Sequence, residues 1–247
     1  MNKIRIMNFP KLDYACNEAM NTLCTNLFYC GDNIRSVLIT SRNEQEGKSS
    51  VAINMMRTIA SCGKSVVLVD ADLRCSVLAS RYQFAYPRQS GKGLAEFLAG
   101  MVSLNDVLYE TDISNAYIVP AGREVMNSLQ LLSSAYYKEM LQVLSEHFDV
   151  VLVDTPPAGV IVDAIEIAKY CDGALIVVAC NTGRKQEIDE LAKNIRKTGC
   201  KVLGAVLNNV NFNSFQNRKY YYRSGKYSSY YRYGGGYRKS GKKPEEE

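Results

Sequence analysis

Apolar residues recur along this chain in short unbroken runs: "SVLIT" (36–40), "SVVLVDAD" (65–72), "AYIVPAG" (116–122), "DVVLVDTPP" (149–157), "GALIVVAC" (173–180) and "KVLGAVLNN" (201–209). They are rich in β-branched residues and lack the polar alternation of a strand with one wet face. Such runs predict strands covered on both sides, as in a parallel sheet. Between them the pattern becomes helical, at about 48–62, 128–147, 163–171 and 184–198. Strands separated by helices imply right-handed βαβ crossovers. The expected fold is therefore α/β, a doubly wound and mainly parallel sheet with helices on both faces. Ligands of such sheets sit beyond the carboxyl ends of the strands.

The pattern stops near Asn213–Arg218. Residues 218–243 carry nine Lys or Arg and no acid, and the final Glu245, Glu246 and Glu247 offset three of those charges. The segment is thus +6, and the rest of a +5 chain is 5 − 6 = −1. It holds eight of the 17 tyrosines and five glycines, but no aliphatic residue, so it cannot build a packed face and is expected to be disordered. The organisation read from this is an N-terminal helical segment packed on the core (1–34), a nucleotide-binding domain (35–213) and a basic tyrosine-rich tail (214–247).

A chain of 247 residues, 47% apolar and 22% charged, suits a soluble protein with one good core. No apolar run approaches the roughly 18 residues that span a bilayer. The start, "MNKIRIMNFPKLD", does not read as a signal peptide, so a cytoplasmic protein is expected. The eight cysteines never form C-x-x-C and mostly lie in apolar surroundings, which predicts buried, reduced thiols and no metal site.

Chemistry enters at "TSRNEQEGKSS" (40–50), which nearly matches the phosphate-loop pattern G-x-x-x-x-G-K-[ST], but with Arg42 at the first glycine. Gly47-Lys48-Ser49 falls between a strand and a helix, where backbone amides and the positive helix end favour phosphate. Lys48 would reach the β- and γ-phosphates and the Ser49 hydroxyl would ligate Mg²⁺. Taken alone, Gly-Lys-Ser is equally a serine-capped helix start. Two further strands, however, end in acid: Asp70 and Asp72 close "VVLVDAD", and Asp154 closes "VVLVD". A carboxylate ending an apolar strand is costly to desolvate unless something compensates it, and magnesium with a nucleotide does so.

These three segments resemble the Walker A, A′ and B motifs of the bacterial tyrosine kinases, the BY-kinases of the CpsD/CapB type. They are P-loop NTPases of the MinD/ParA-like superfamily that act in capsule and exopolysaccharide assembly. The likeness continues through "DAIEIAKYCDGALIVV", "VLGAVLNNV" and the closing tyrosine cluster. In that family the glycine-rich opening is commonly shortened to Gly-x-Gly-Lys, and here Gln45 replaces the first of those glycines.

The resemblance implies ATP and Mg as cofactors. It places ATP on Glu46, Gly47, Lys48, Ser49 and Ser50, with Asn208 toward the adenine and Thr40 behind the loop. Ser49, Asp72 and Asp154 would serve the magnesium, and Asp70 would take the proton of an incoming tyrosine. The acceptors it implies are Tyr220, Tyr221, Tyr222, Tyr227, Tyr230, Tyr231, Tyr233 and Tyr237, in an autokinase that regulates polysaccharide synthesis and export. It further implies a membrane-anchored polysaccharide co-polymerase as activator, a cognate protein-tyrosine phosphatase, a place at the inner face of the cell membrane through that partner, and no nucleic acid.

Homo-oligomers are implied too, but the family's ring-forming E-x-x-R-x-x-R reads here as Glu18, Asn21 and Cys24, without either arginine's planar fork. The segment 120–134 also lacks the family's proline-rich form. Two other readings stay open: a ParA/MinD-like ATPase switch, although Asn43 stands near its signature lysine, and a non-catalytic nucleotide-binding scaffold.

Overall fold

A computed structural model describes residues 2–86, 91–180 and 182–210. The chain opens with β1 (Asn2–Lys3), β2 (Arg5–Ile6) and α1 (Tyr14–Phe28), and passes through β3 (Ser36–Ser41), α2 (Lys48–Ser61) and β4 (Val66–Asp70). The short elements α3 (Leu78–Arg81), β5 (Phe84–Ala85), α4 (Leu94–Leu98), α5 (Leu104–Val107) and β6 (Tyr109–Glu110) follow. Then come β7 (Ala116–Val119), α6 (Ser128–Leu132), α7 (Ala135–His147), β8 (Val150–Asp154), α8 (Asp163–Ala168), β9 (Gly173–Ala179), α9 (Lys185–Lys197) and β10 (Lys201–Asn208).

All six strands expected from the apolar runs are present, in the order β7-β4-β8-β3-β9-β10, and every pairing among them is parallel. Every residue of β3, β4, β8 and β9 is buried, because helices cover both faces. The side chains alternate between two cores. Val37, Ile39, Val66 and Leu68 meet α2 through Ile53, Met56 and Ile59 on one side. Leu38, Val67 and Val69 share the other with Tyr137, Leu141, Ile167, Leu191 and Ile195. β10 is the edge strand and is only partly covered.

Three readings are corrected. The helix expected over 128–147 is two, because Ser134 caps a new start: its hydroxyl accepts the Tyr137 amide at 3.4 Å. The N-terminal segment is not only helical, since β1 joins the sheet edge beside β6 and β2 pairs with β5. Its helix is capped by Asp13, whose carboxylate accepts the Cys16 amide at 2.7 Å, and it packs on α2. All eight cysteines are free thiols, yet Cys30, Cys62 and Cys75 are exposed, because Cys30 and Cys62 lie just past helix ends and Cys75 lies in the β4–α3 loop, none on an apolar face.

Candidate functional site

The β3–α2 loop is shaped by two residues in the left-handed region, Gln45 at φ 60° and Gly47 at φ 88°. Gly47 is the N-cap of α2, and Lys48 is its first residue. A Cβ at Gly47 would stand 2.1 Å from Asn208 Nδ2, so glycine is required by space as well as by φ. That same Nδ2 donates to the Glu46 carbonyl at 2.9 Å. The buried Glu46 carboxylate in turn accepts the Asn43 amide at 2.9 Å. Asn208, expected at the adenine, is seen clamping the loop from the end of β10.

Arg42, at the first glycine of the usual pattern, is accommodated by another glycine. Its carbonyl accepts the Gly159 amide at 3.1 Å, and a Cβ at Gly159 would come within 2.3 Å of that oxygen. The close backbone approach has moved to the loop after β8. The Arg42 side chain turns outward to Glu187 of α9, at 3.3 Å.

The carboxylates converge because their strands are in register: Asp70 stands directly opposite Asp154 on neighbouring strands. Both are buried. Burial raises the Asp154 carboxyl to about 7, against the opposing pull of the Ser49 hydrogen bond and the Lys48 charge. Burial, and then the facing Asp154, raises Asp70 well above the carboxylate range, while the Ser76 hydroxyl bonded to it opposes the rise. Asp72 is raised too, chiefly by burial, with the Cys75 amide at 3.1 Å and the Lys48 charge opposing. Four of the expected residues, Lys48, Ser49, Asp72 and Asp154, thus act on one another at the carboxyl ends of β3, β4 and β8, with Asp70 against Asp154.

A hydrated Mg²⁺ fits this donor set. Asp154 Oδ1 is buried without a hydrogen-bond partner, an arrangement a cation or its water would relieve. Among the described residues no three His, Cys, Asp or Glu side chains form a closed cage. Magnesium is commonly held so, by one or two carboxylates with phosphate oxygens and water.

The remaining expected residues support the loop. Ser50 receives the Tyr82 hydroxyl at 3.1 Å, and Thr40 donates to the Pro156 carbonyl at 3.2 Å. The tail tyrosines lie outside the described residues. Four participants went unread in the sequence: Glu187, Gly159, and the buried Asp163 with Arg74. Only Asp163 left a signal, an acid following the apolar "VIV". A cleft of 740 Å³ between α7 and the start of β3 opens at the opposite ends of the strands and takes no part here.

The AAA domain family model matches residues 36–205. Tyrosine-protein kinase CpsD of Streptococcus pneumoniae serotype 4 is 35% identical over 202 residues, which cover 81% of this chain and 88% of that one. The putative tyrosine-protein kinase CapB of Staphylococcus aureus is 30% identical over 208 residues, 83% of this chain and 90% of its own. This chain belongs to the CpsD/CapB family of bacterial tyrosine kinases.

Solved structures agree. The kinase domain of the Escherichia coli tyrosine kinase ETK superposes with a TM-score of 0.74 at 26% identity, over 80% of this kinase and 77% of that chain. The cell division ATPase MinD of Pyrococcus furiosus follows at 0.60 and 25% identity, over 70% and 71%. The kinase therefore shares its P-loop scaffold with the MinD-like ATPases while its family is that of the tyrosine kinases.

Proposed function

We propose that this kinase transfers the γ-phosphoryl group of ATP to the tyrosines of its own C-terminal segment, and that this regulates capsular or exopolysaccharide synthesis and export. One observation carries the reading. Lys48 and Ser49, in the first turn of α2, act on buried Asp154, and Asp70 stands opposite it in register.

Lys48 and the amides at the start of α2 hold the phosphates of ATP, and the field of the helix end favours their charge. Magnesium, when bound, neutralises charge on the phosphates. Ser49, Asp72 and Asp154 are the residues that would hold it. Asp70 accepts the proton as the tyrosine oxygen forms its bond to Pγ and the bond from Pγ to the bridging oxygen of ADP breaks. A phenol with a pKa near 10 needs such a base at pH 7. An ionised carboxylate whose pKa is raised is a stronger base than an ordinary one, and burial raises Asp70.

The acceptors are Tyr220, Tyr221, Tyr222, Tyr227, Tyr230, Tyr231, Tyr233 and Tyr237. Each phosphate adds about −1.5 to −2 charge. Four are enough to cancel the +6 of residues 218–247, and more reverse it. No helix among the described residues is long and apolar enough to cross a membrane. A membrane-anchored co-polymerase is proposed as the activating partner and a protein-tyrosine phosphatase as the opposing enzyme, both on the family likeness.

The test is mass spectrometry after incubation with Mg-ATP, with and without Lys48→Met. Phosphate on these tyrosines in the parent, absent from the variant, is the expected outcome. Equal labelling in both would sink the assignment.

A further inference from the structure

Asp70 and Asp154 have no ion-pair partner among the described residues, but a third buried carboxylate does. Asp163, the first residue of α8, is completely buried. Arg74 reaches it with a fork, Nε to Oδ2 at 2.9 Å and Nη2 to Oδ1 at 3.3 Å, and the Ser128 hydroxyl also donates to Oδ2. The arginine is 39% exposed and the acid 1%, so the pair is anchored from the inside. Arg74 lies two residues past Asp72 on the loop from β4 to α3, whereas Asp163 and Ser128 begin α8 and α6.

The fork bears on the geometry of the acids. At its start the loop is held by the Ala71 amide on the Asp154 carbonyl, at 2.8 Å. Farther on, Ser76 holds Asp70. Between these points Asp72 takes the backbone amides of Arg74 and Cys75, so its carboxylate moves with them. The Leu73 side chain seats that middle stretch in the core, and two polar contacts tie it to the rest of the domain: the Leu73 carbonyl, which accepts the Val125 amide at 2.9 Å, and the Arg74 fork on Asp163. Neither touches Gly47, Lys48 or Ser49. A bidentate arginine sets both distance and angle, which a lysine's single charged point cannot.

We propose that Arg74 is a positioning residue for phosphoryl transfer, whose fork on buried Asp163 fixes the β4–α3 loop so that Asp72 faces Lys48 across the phosphate site. This rests on the role given above to Asp72. The pair governs the rate of transfer and its magnesium dependence; nucleotide affinity belongs to the loop at Gly47–Ser49.

The test uses full-length protein and three variants: Arg74→Lys, Asp163→Asn and the double. Phosphotyrosine formation and phosphate released to water are followed at saturating ATP over a magnesium series. ADP affinity without magnesium and the unfolding temperature are measured alongside. Each single variant is expected to slow transfer about 10- to 100-fold, since small misplacements cost that much. The magnesium needed for half-maximal rate should rise, while ADP affinity stays within about twofold of the parent. The double should be no slower than the slower single, because both changes break one interaction.

Parental rates and magnesium dependence in the singles would overturn the proposal. So would rate losses that multiply in the double, or ADP affinity lost in step with rate, since the pair would then only stabilise the domain. If the parent forms no phosphotyrosine, the acceptor reading fails by itself, and the pair is still judged by the same pattern in ATP hydrolysis.

Discussion

Asp154 sets stability against chemistry. In the unfolded chain its carboxyl titrates near the ordinary aspartate value of 3.8, and in the native protein at about 7, because burial penalises its charge. Between these values the native state binds the proton more readily than the unfolded chain. The stability of the nucleotide-free protein therefore falls as pH rises from about 4 to about 7 and levels off above. The difference is on the order of 4 kcal/mol. Asp70 pushes in the same direction. Asp154→Asn has no charge to bury, so it should flatten this slope and raise the unfolding temperature at pH 8 by several degrees, while abolishing transfer. Calorimetry across pH 4–8 checks it; a variant no more stable than the parent at pH 8 would contradict the account. The aspartate was legible in the sequence as an acid closing an apolar run. Its partner in register, Asp70, was legible only as another such acid, since pairing is a property of the sheet.

The phosphate loop of this kinase is held more by side chains than by its own glycines. Gly47 was readable from Gly-Lys-Ser, and its φ of 88° and the 2.1 Å clearance to Asn208 Nδ2 show why no other residue fits. Gly47→Ala is expected to abolish nucleotide binding and lower the unfolding temperature. Adding Asn208→Ala removes the collision but not the strained φ, so stability should return only in part. Titration with a fluorescent ADP analogue and thermal unfolding separate the two effects; full recovery in the double would show that φ is unimportant. The tolerance for Arg42 was not readable. The glycine that allows it, Gly159, follows a different strand, and Glu187, which takes the charge, lies on α9. The double helix at 128–147 was missed for a local reason: the apolar spacing runs through Ser133-Ser134, and only the cap at Ser134 marks the break.

Residues Met1–Asn209 form one compact unit, with both cores built from elements inside it. Deletion of 214–247 is accordingly expected to leave the unfolding temperature and ADP affinity unchanged while removing autophosphorylation. Phosphotyrosine persisting in the truncated protein would move the acceptor to the body. The kinase family was legible in three motifs and a tyrosine cluster, and the similarity to CpsD and CapB bears it out.

What the chain carries in its local pattern is the kind of each element and the chemistry at its ends. Six apolar strands, a Gly-Lys-Ser helix start and acids closing two strands are written within a few residues each, because an apolar run and phosphate binding at a helix end need only neighbours. The strand order, the facing of Asp70 and Asp154, the Asn208 clamp, the Gly159 contact beneath Arg42 and the Arg74–Asp163 fork belong to the folded sheet. Each joins residues far apart in sequence, and such contacts exist only once crossovers and register have set which strand ends lie side by side.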